Sequence, residues 1–367
     1  MARLRLARTE GIGPATYRRL IARHGNAEAA LAALPGHAAR AGKALTPPSP
    51  DSVEREMAAL TMLGGRFLFL DSPRYPPLLA LLEDAPPAIA VLGDPGLLAS
   101  RQVGLVGARA ASAAGRRVAE QLAAGLVDAG LAVTSGLARG IDAAAHEGAL
   151  AARGATIAVV AGGLDVPYPA EHAALQARIA AEGGVVVAEA PLGTAPLARH
   201  FPRRNRIVAG LVLGVVVVEA APKSGSLITA RLALEAGREV FAVPGNPLDP
   251  RARGGNDLIR QGAHLTETAE DILAFLPESP RDLPLFAPRA APPPGSTTDA
   301  EAPYPAPHPP GDPAKVLELI GPTPVAVDDL VRRCQLSAPS VQAILLDLEL
   351  SGLVETLPGN RVARSSP

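Results

Sequence analysis

Between about residues 65 and 277, short apolar runs alternate with Ala-rich stretches of helical period. Val103-Gly-Leu-Val-Gly107 reads as a strand entering a glycine turn, followed by a helix over about 113–129. Leu131–Thr134, Ala155–Val160, Val185–Ala188, Leu213–Glu219 and Glu239–Val243 read as further strands. The runs are continuous rather than alternating, so both faces of each strand are covered. That predicts an α/β domain: a parallel sheet with helices on each side. Four regions follow: a helical unit over 1–65, the α/β domain over 66–277, a Pro-rich linker over 278–312, and a small separately patterned unit over 313–367.

Composition narrows the functional classes. A net charge of −1 gives no global field to draw nucleic acid, so any such binding must come from local clusters. Lys occurs only at 43, 223 and 315, which singles out Lys223 in the central region. With four Tyr, six Phe and no Trp, a broad base-stacking surface would be thin. One cysteine, Cys334, excludes a disulfide framework and a cysteine-based zinc cluster and suits a reducing cytoplasm. The longest apolar run, Ile207–Val218, is too short to span a bilayer and reads as a helix followed by a buried strand. The first residues lack the apolar core of a signal peptide, so a soluble cytoplasmic protein is expected.

Ligands of open α/β sheets bind beyond the carboxyl ends of the strands, so the loops there are the candidates. Gly107, Arg109 and Ser112 follow the first strand, and Ser135, Gly136, Arg139 and Gly140 follow the second. Lys223, Ser224, Gly225 and Ser226 follow the strand at 213–219 and lead into a helix. Small residues let backbone N–H groups approach a ligand, a helix N-terminus adds partial positive charge, and Arg or Lys adds a full one. Together these suit a phosphate oxyanion. Arg199-His-Phe-Pro-Arg203-Arg204-Asn205-Arg206 holds four Arg and no acid, and is expected in a loop on the same edge, where Arg203, Arg204, Asn205 and Arg206 could grip phosphates. Ordinary turn chemistry and a solvated charge run are the competing accounts of these features. Asp142 and His146 lie one helical turn apart; structural roles are expected for both. Glu189, Glu219 and Glu235 are expected to orient arginines. No dinucleotide or P-loop fingerprint and no metal-ligand spacing is present, so neither cofactor nor metal is expected.

Strung together, Tyr75-Pro-Pro, Val103–Arg109, Ser135–His146, Gly163-Leu-Asp-Val-Pro-Tyr-Pro169, Phe201–Ile207, Lys223–Ala230 and Val243-Pro-Gly245 resemble the DNA-processing protein A family (DprA, also called Smf). The resemblance covers about 75–265. It implies an extended Rossmann-like fold that forms a homodimer, binds single-stranded DNA and loads the recombinase RecA onto it during natural transformation. It also implies a DNA pocket formed by Gly107, Arg109, Ser135–Gly140, Arg203–Arg206 and Lys223–Ser226. Two positions depart from the family pattern: Ala108 replaces a usual Ser, and His172 stands where Asn is common.

The flanks also resemble family members. Around Gly11-Ile-Gly-Pro14 the N-terminal unit looks like a sterile-alpha-motif or helix-hairpin-helix domain, whose turn could meet a phosphate or simply connect two helices. The C-terminal unit looks like a winged helix, with helices at 313–320, about 328–334 and 338–351 and strands around Pro358-Gly-Asn360. Its third helix is expected to expose Asp347 and Glu349, which favours protein contact over base reading. The resulting expectation is a non-enzymatic, sequence-independent single-strand binder. The alternatives are a nucleotide-processing enzyme of the lysine-decarboxylase-like phosphoribohydrolase group, and a pure interaction scaffold.

Overall fold

The structure is a computed structural model that describes residues 1–41, 45–277, 313–357 and 360–365. The predicted linker at 278–312 and the turn at Pro358-Gly359 lie outside the described residues. The chain forms two compact units, Glu54–Ala287 and the pairing of Met1–Val53 with Pro288–Pro367.

Three helices open the chain: α1 Ala2–Ala7, α2 Pro14–His24 and α3 Ala27–Ala41. Helix α2 starts where the sequence allows it, with Gly13 as N-cap and Pro14 in the first turn, where the missing N–H costs no bond. Helix α4 Pro50–Met62 leads into the sheet and is followed in chain order by α5 Pro77–Ala80, α6 Ala113–Asp128, α7 Ile141–Ala151, α8 Ala173–Ala181, α9 His200–Leu211, α10 Gly225–Glu235, α11 Arg253–Arg260 and α12 Ala269–Leu273.

The strands of the larger unit are β1 Arg66–Phe69, β2 Ala88–Gly93, β3 Gln102–Val106, β4 Ala132–Ser135, β5 Thr156–Val160, β6 Val185–Ala188, β7 Gly214–Val217, β8 Glu239–Ala242 and β9 His264–Leu265. They form one sheet in the order β1-β2-β6-β5-β4-β3-β7-β8-β9. From β6 to β9 every neighbouring pair is parallel, while β1–β2 and β2–β6 are antiparallel. The expectation of a parallel sheet therefore holds for its centre and gains an antiparallel margin.

Alternate side chains of β3 and β7 enter different cores. Leu105 and Val216 pack with Leu122, Leu126 and Ile141 from α6 Ala113–Asp128 and α7 Ile141–Ala151. Val106, Val215 and Val217 face the opposite side, in the core that holds Ile207 and Ala230 from α9 His200–Leu211 and α10 Gly225–Glu235. Full burial of one such Leu or Ile contributes roughly 1.5–3 kcal/mol, so the two layers fix the strand ends firmly.

In the smaller unit, the C-terminal segment adds α13 Pro313–Glu318, β10 Val325–Ala326, α14 Val327–Cys334, α15 Ala338–Leu350, β11 Val354–Leu357 and β12 Arg361–Arg364. The strands pair as β10-β12-β11, antiparallel throughout. This is a winged helix, and its third helix is buried on two sides. Val341, Ile344, Leu345 and Leu348 pack into its own core. Leu346 and Leu350 instead join Leu6, Tyr17, Leu20 and Leu34 of the N-terminal helices.

The expected exposure of Asp347 and Glu349 is thus corrected. Asp347 lies 3.0 Å from His37 Nδ1, and Glu349 is paired with Arg19, which also donates to Thr356 Oγ1 at 2.6 Å. Burial raises the Glu349 carboxyl pKa, which the neighbouring Arg19 opposes. The helix packs against the N-terminal helices of the same chain.

Candidate functional site

The strand order reverses between β3 and β7, which places a crevice beyond their carboxyl ends. A cleft of about 510 Å³ lies there, lined after β3 by Gly107–Ala110, after β7 by Ala221–Ser226 at the start of α10, from α9 by Phe201, Arg204 and Asn205, and from α7 by Asp142. Its first lip is set by close backbone approach. A Cβ on Gly107 would lie 2.5 Å from Ile141 Cγ1, and one on Gly140, whose φ is +78°, would lie 2.2 Å from the Ala108 carbonyl. The Ile141 N–H donates to that same carbonyl at 3.2 Å.

Across the cleft, Lys223 takes φ +66° and Ser224 caps α10. A Cβ at Gly225 would meet no atom within 4 Å, so the helix start is open there; Ser224 takes the Ser226 and Leu227 N–H groups, which leaves the Gly225 N–H for a ligand. Asn205 Nδ2 donates to the Gly225 carbonyl at 3.2 Å and ties this loop to α9. Lys223 is exposed and has no ion pair among the described residues. Arg109 is exposed with its guanidinium 4.8 Å from the centre of the Phe201 ring, which in turn lies 5.6 Å from the Tyr168 ring.

The arginine run is helical, not a loop. Helix α9 begins at His200, so its cations point in different directions. Arg203 and Arg206, three residues apart, both reach Glu189: Arg203 in a two-pronged pair at 3.0 and 3.1 Å, and Arg206 at 2.6 Å with a further bond to the Asp84 carbonyl. Arg204 turns inward, donates to the Val159 carbonyl at 3.0 Å and lies beneath the cleft. Burial pushes its pKa down, and the nearby Asp142 charge partly opposes this.

The loop after β4 also departs from expectation. Ser135 is buried and its hydroxyl donates to the Leu105 carbonyl at 2.6 Å. The Ala138 N–H donates to Asp142 at 3.3 Å, and the Gly136 backbone also bonds that carboxylate. These N–H groups therefore hold an anion of the protein itself. Burial pushes the Asp142 carboxyl pKa up. Ser112 is likewise committed: its hydroxyl and N–H meet Glu219 at 2.5 and 3.0 Å while it caps α6. Arg139 forms a two-pronged pair with Glu171 at 2.7 and 2.8 Å, at the rim of a second depression of about 40 Å³ that also includes Gly136 and Tyr168.

Of the residues singled out from sequence, Gly107, Arg109, Arg204, Asn205, Lys223, Ser224, Gly225 and Ser226 share the cleft, and Gly136 and Arg139 border the neighbouring depression. Ser112, Ser135, Gly140, Arg203 and Arg206 support it from outside. Sequence reasoning missed Phe201, Tyr168 and Asp142 as site residues. Phe201 was within reach, since it precedes the arginine pair by two residues. His146 lies in the interior, where its Nδ1 shares a 2.7 Å hydrogen bond with Thr156 Oγ1 and burial lowers its pKa to about 3. Glu189 orients arginines as expected, and Glu235 pairs with Arg231, but Glu219 holds Ser112 instead. Among the described residues no cluster could hold a metal ion, and no helix is long and apolar enough to cross a membrane.

Comparison with known proteins agrees with this architecture. Residues 66–277 match the family of the DNA recombination-mediator protein A, 1–59 the DprA-like N-terminal HHH domain and 288–360 the DprA winged helix domain. The chain is 40% identical to Protein Smf of Escherichia coli over 85% of its length and 80% of that protein's. It is 44% identical to DNA processing protein DprA of Bacillus subtilis over 61% of its length and 75% of the relative's. The DprA structure from Streptococcus pneumoniae superposes with a TM-score of 0.64 at 33% identity, covering 76% of this chain and 97% of that one. DprA of Helicobacter pylori, described by its single-stranded DNA binding mode, gives 0.51 at 29% identity and covers 57% and 94%.

Proposed function

Because this chain belongs to the DNA recombination-mediator protein A family, we propose that it binds single-stranded DNA by its phosphates in the β3–β7 cleft, without reading base sequence and without catalysis. The observation that carries this is the meeting of Arg109, Lys223 and the open N-terminus of α10 around one crevice. A phosphodiester is an anion that matches such a set of convergent donors and fixed cations. The Phe201–Tyr168 pair beside Arg109 offers a small face for one base and supports a single strand over a duplex. The solved relative from Helicobacter pylori is described as binding single-stranded DNA.

We further propose that the protein works in the cytoplasm as a homodimer and delivers the strand to the recombinase RecA during DNA uptake. Pairing of two copies is supported at the β9 end of the sheet, where Leu265 and Phe275 are each about half exposed and His264 stacks on Phe275 at 4.1 Å. A hydrolytic reading needs an acid free to act, and Asp142, the acid lining the cleft, is committed to the backbone of Gly136 and Ala138.

The test is a salt titration of oligonucleotide affinity. Log affinity should fall linearly with log salt, by about 0.7 per phosphate neutralised. Lys223→Ala and Arg109→Ala should each lower affinity equally for all sequences and make the slope shallower by about one such step. An affinity indifferent to salt, or a strong base preference, would overturn the proposal.

A further inference from the structure

Asp142 is out of place in a cleft that takes phosphate: it lines the cavity, it is 6% exposed, and its charge repels the proposed ligand. Its surroundings show what it does instead. It is the second residue of α7 and accepts from the backbone at Ala138 and Gly136, so the 136–138 loop is wrapped around its carboxylate. Between those residues Leu137, fully buried, is held at φ +56°, a backbone region that side chains other than glycine avoid. That turn lets successive N–H groups converge on one anion. From the other side, His172 Nδ1 donates to the Leu137 carbonyl at 2.9 Å. The wrapped loop then forms a seat. The Arg204 guanidinium lies so close over Gly136 that a Cβ there would fall 1.5 Å from Nη1.

We infer that Asp142 is a positioning residue for DNA binding: by folding the 136–138 loop around its carboxylate, it builds the seat that holds Arg204 beneath the phosphate cleft. This rests on the reading of the cleft given above. The inference gives Asp142 a sign opposite to that of simple electrostatics. A carboxylate acting only as a like charge weakens anion binding, so its removal would tighten it. A carboxylate acting through Arg204 supports binding, so its removal weakens it and takes away one cation's share of the salt dependence. His172, His146, Arg204 and Arg109 are other charged or titratable groups acting on this locus.

The experiment uses the full chain and a labelled oligothymidylate, with affinity measured from low to high salt. Asp142→Asn, Gly136→Ala and Arg204→Gln should each weaken binding and flatten the log–log slope by about 0.7. Asp142→Asn combined with Arg204→Gln should bind no more weakly than Arg204→Gln alone. If Asp142→Asn does not fold, as judged by thermal melting, Gly136→Ala carries the test, because it displaces Arg204 and leaves the carboxylate in place. Tighter binding by a folded Asp142→Asn, or a slope unchanged in Asp142→Asn or in Gly136→Ala, overturns the inference. Lys223→Ala separates the two levels: if it too leaves the slope unchanged, the cleft itself is misassigned, whereas a flattened slope there confines the failure to Asp142.

Discussion

At Gly140 a single hydrogen atom decides whether the first lip of the cleft can close. Its φ of +78° and the 2.2 Å separation that a Cβ would have from the Ala108 carbonyl leave no room for a side chain. Gly140→Ala should cost about 2 kcal/mol or more from backbone strain and displacement, measurable as a lower urea midpoint. His146 gives a second expectation at this scale. Burial holds its imidazole neutral, with a pKa of about 3 against an ordinary 6.5. The unfolded chain therefore binds this proton first as pH falls. Its contribution is complete above about pH 6.5 and is lost as pH drops toward 3, by up to about 1.4 kcal/mol per pH unit. Thermal melts at several pH values should show this acid-side loss, and His146→Leu should flatten it. The two serines show the limit of reading residues one at a time. Ser112 and Ser135 stand at the right places after their strands, yet their hydroxyls are taken by Glu219 and the Leu105 carbonyl. Which partner a hydroxyl meets depends on elements about 30 or 107 residues away, and no local pattern records that.

Helix α9 is where an element's pattern misled. Four arginines with a proline and no acid read as a surface loop, but Pro202 sits in the first helical turn, where it costs no hydrogen bond. The charge is compensated by Glu189, which follows β6. Glu189→Gln should take from Arg206, 9% exposed at its side chain, the nearer of its two carboxylates, leaving Asp84 at 3.6 Å, and destabilise the fold by about 1–3 kcal/mol, as seen in chemical denaturation. The central strands were legible because burial on both faces demands unbroken apolar runs, and β5, β6 and β7 are buried at every position. Strand β1 was not, since Arg66–Phe69 is largely half-buried and nothing local sets its antiparallel direction; β2, buried at four of its six positions, carries such a run and was passed over. The cleft's main cations, Arg109 and Lys223, were legible through their position after strands. The Asp142–Arg204 arrangement was not, because it exists only once two loops and a helix are brought together.

Across the whole molecule, the smaller unit is built from both ends of the chain. Leu346 and Leu350 of α15 complete a core begun by Leu6, Leu20 and Leu34, so neither end is finished without the other. Leu346→Asp should unfold the N-terminal helices and the winged helix together, with amide protons of α2 and α15 losing hydrogen-exchange protection in step. Loss confined to α15 would show that the two ends are independent. The double cover on α15 also bears on what this end of the protein can distinguish. Clasped on both flanks, with its two carboxylates spent on Arg19 and His37, the helix keeps only its first turns in solvent, at Ala338, Pro339 and Gln342. Any sensing of the order of letters by this helix therefore falls to the few polar groups at its start, the amide of Gln342 foremost.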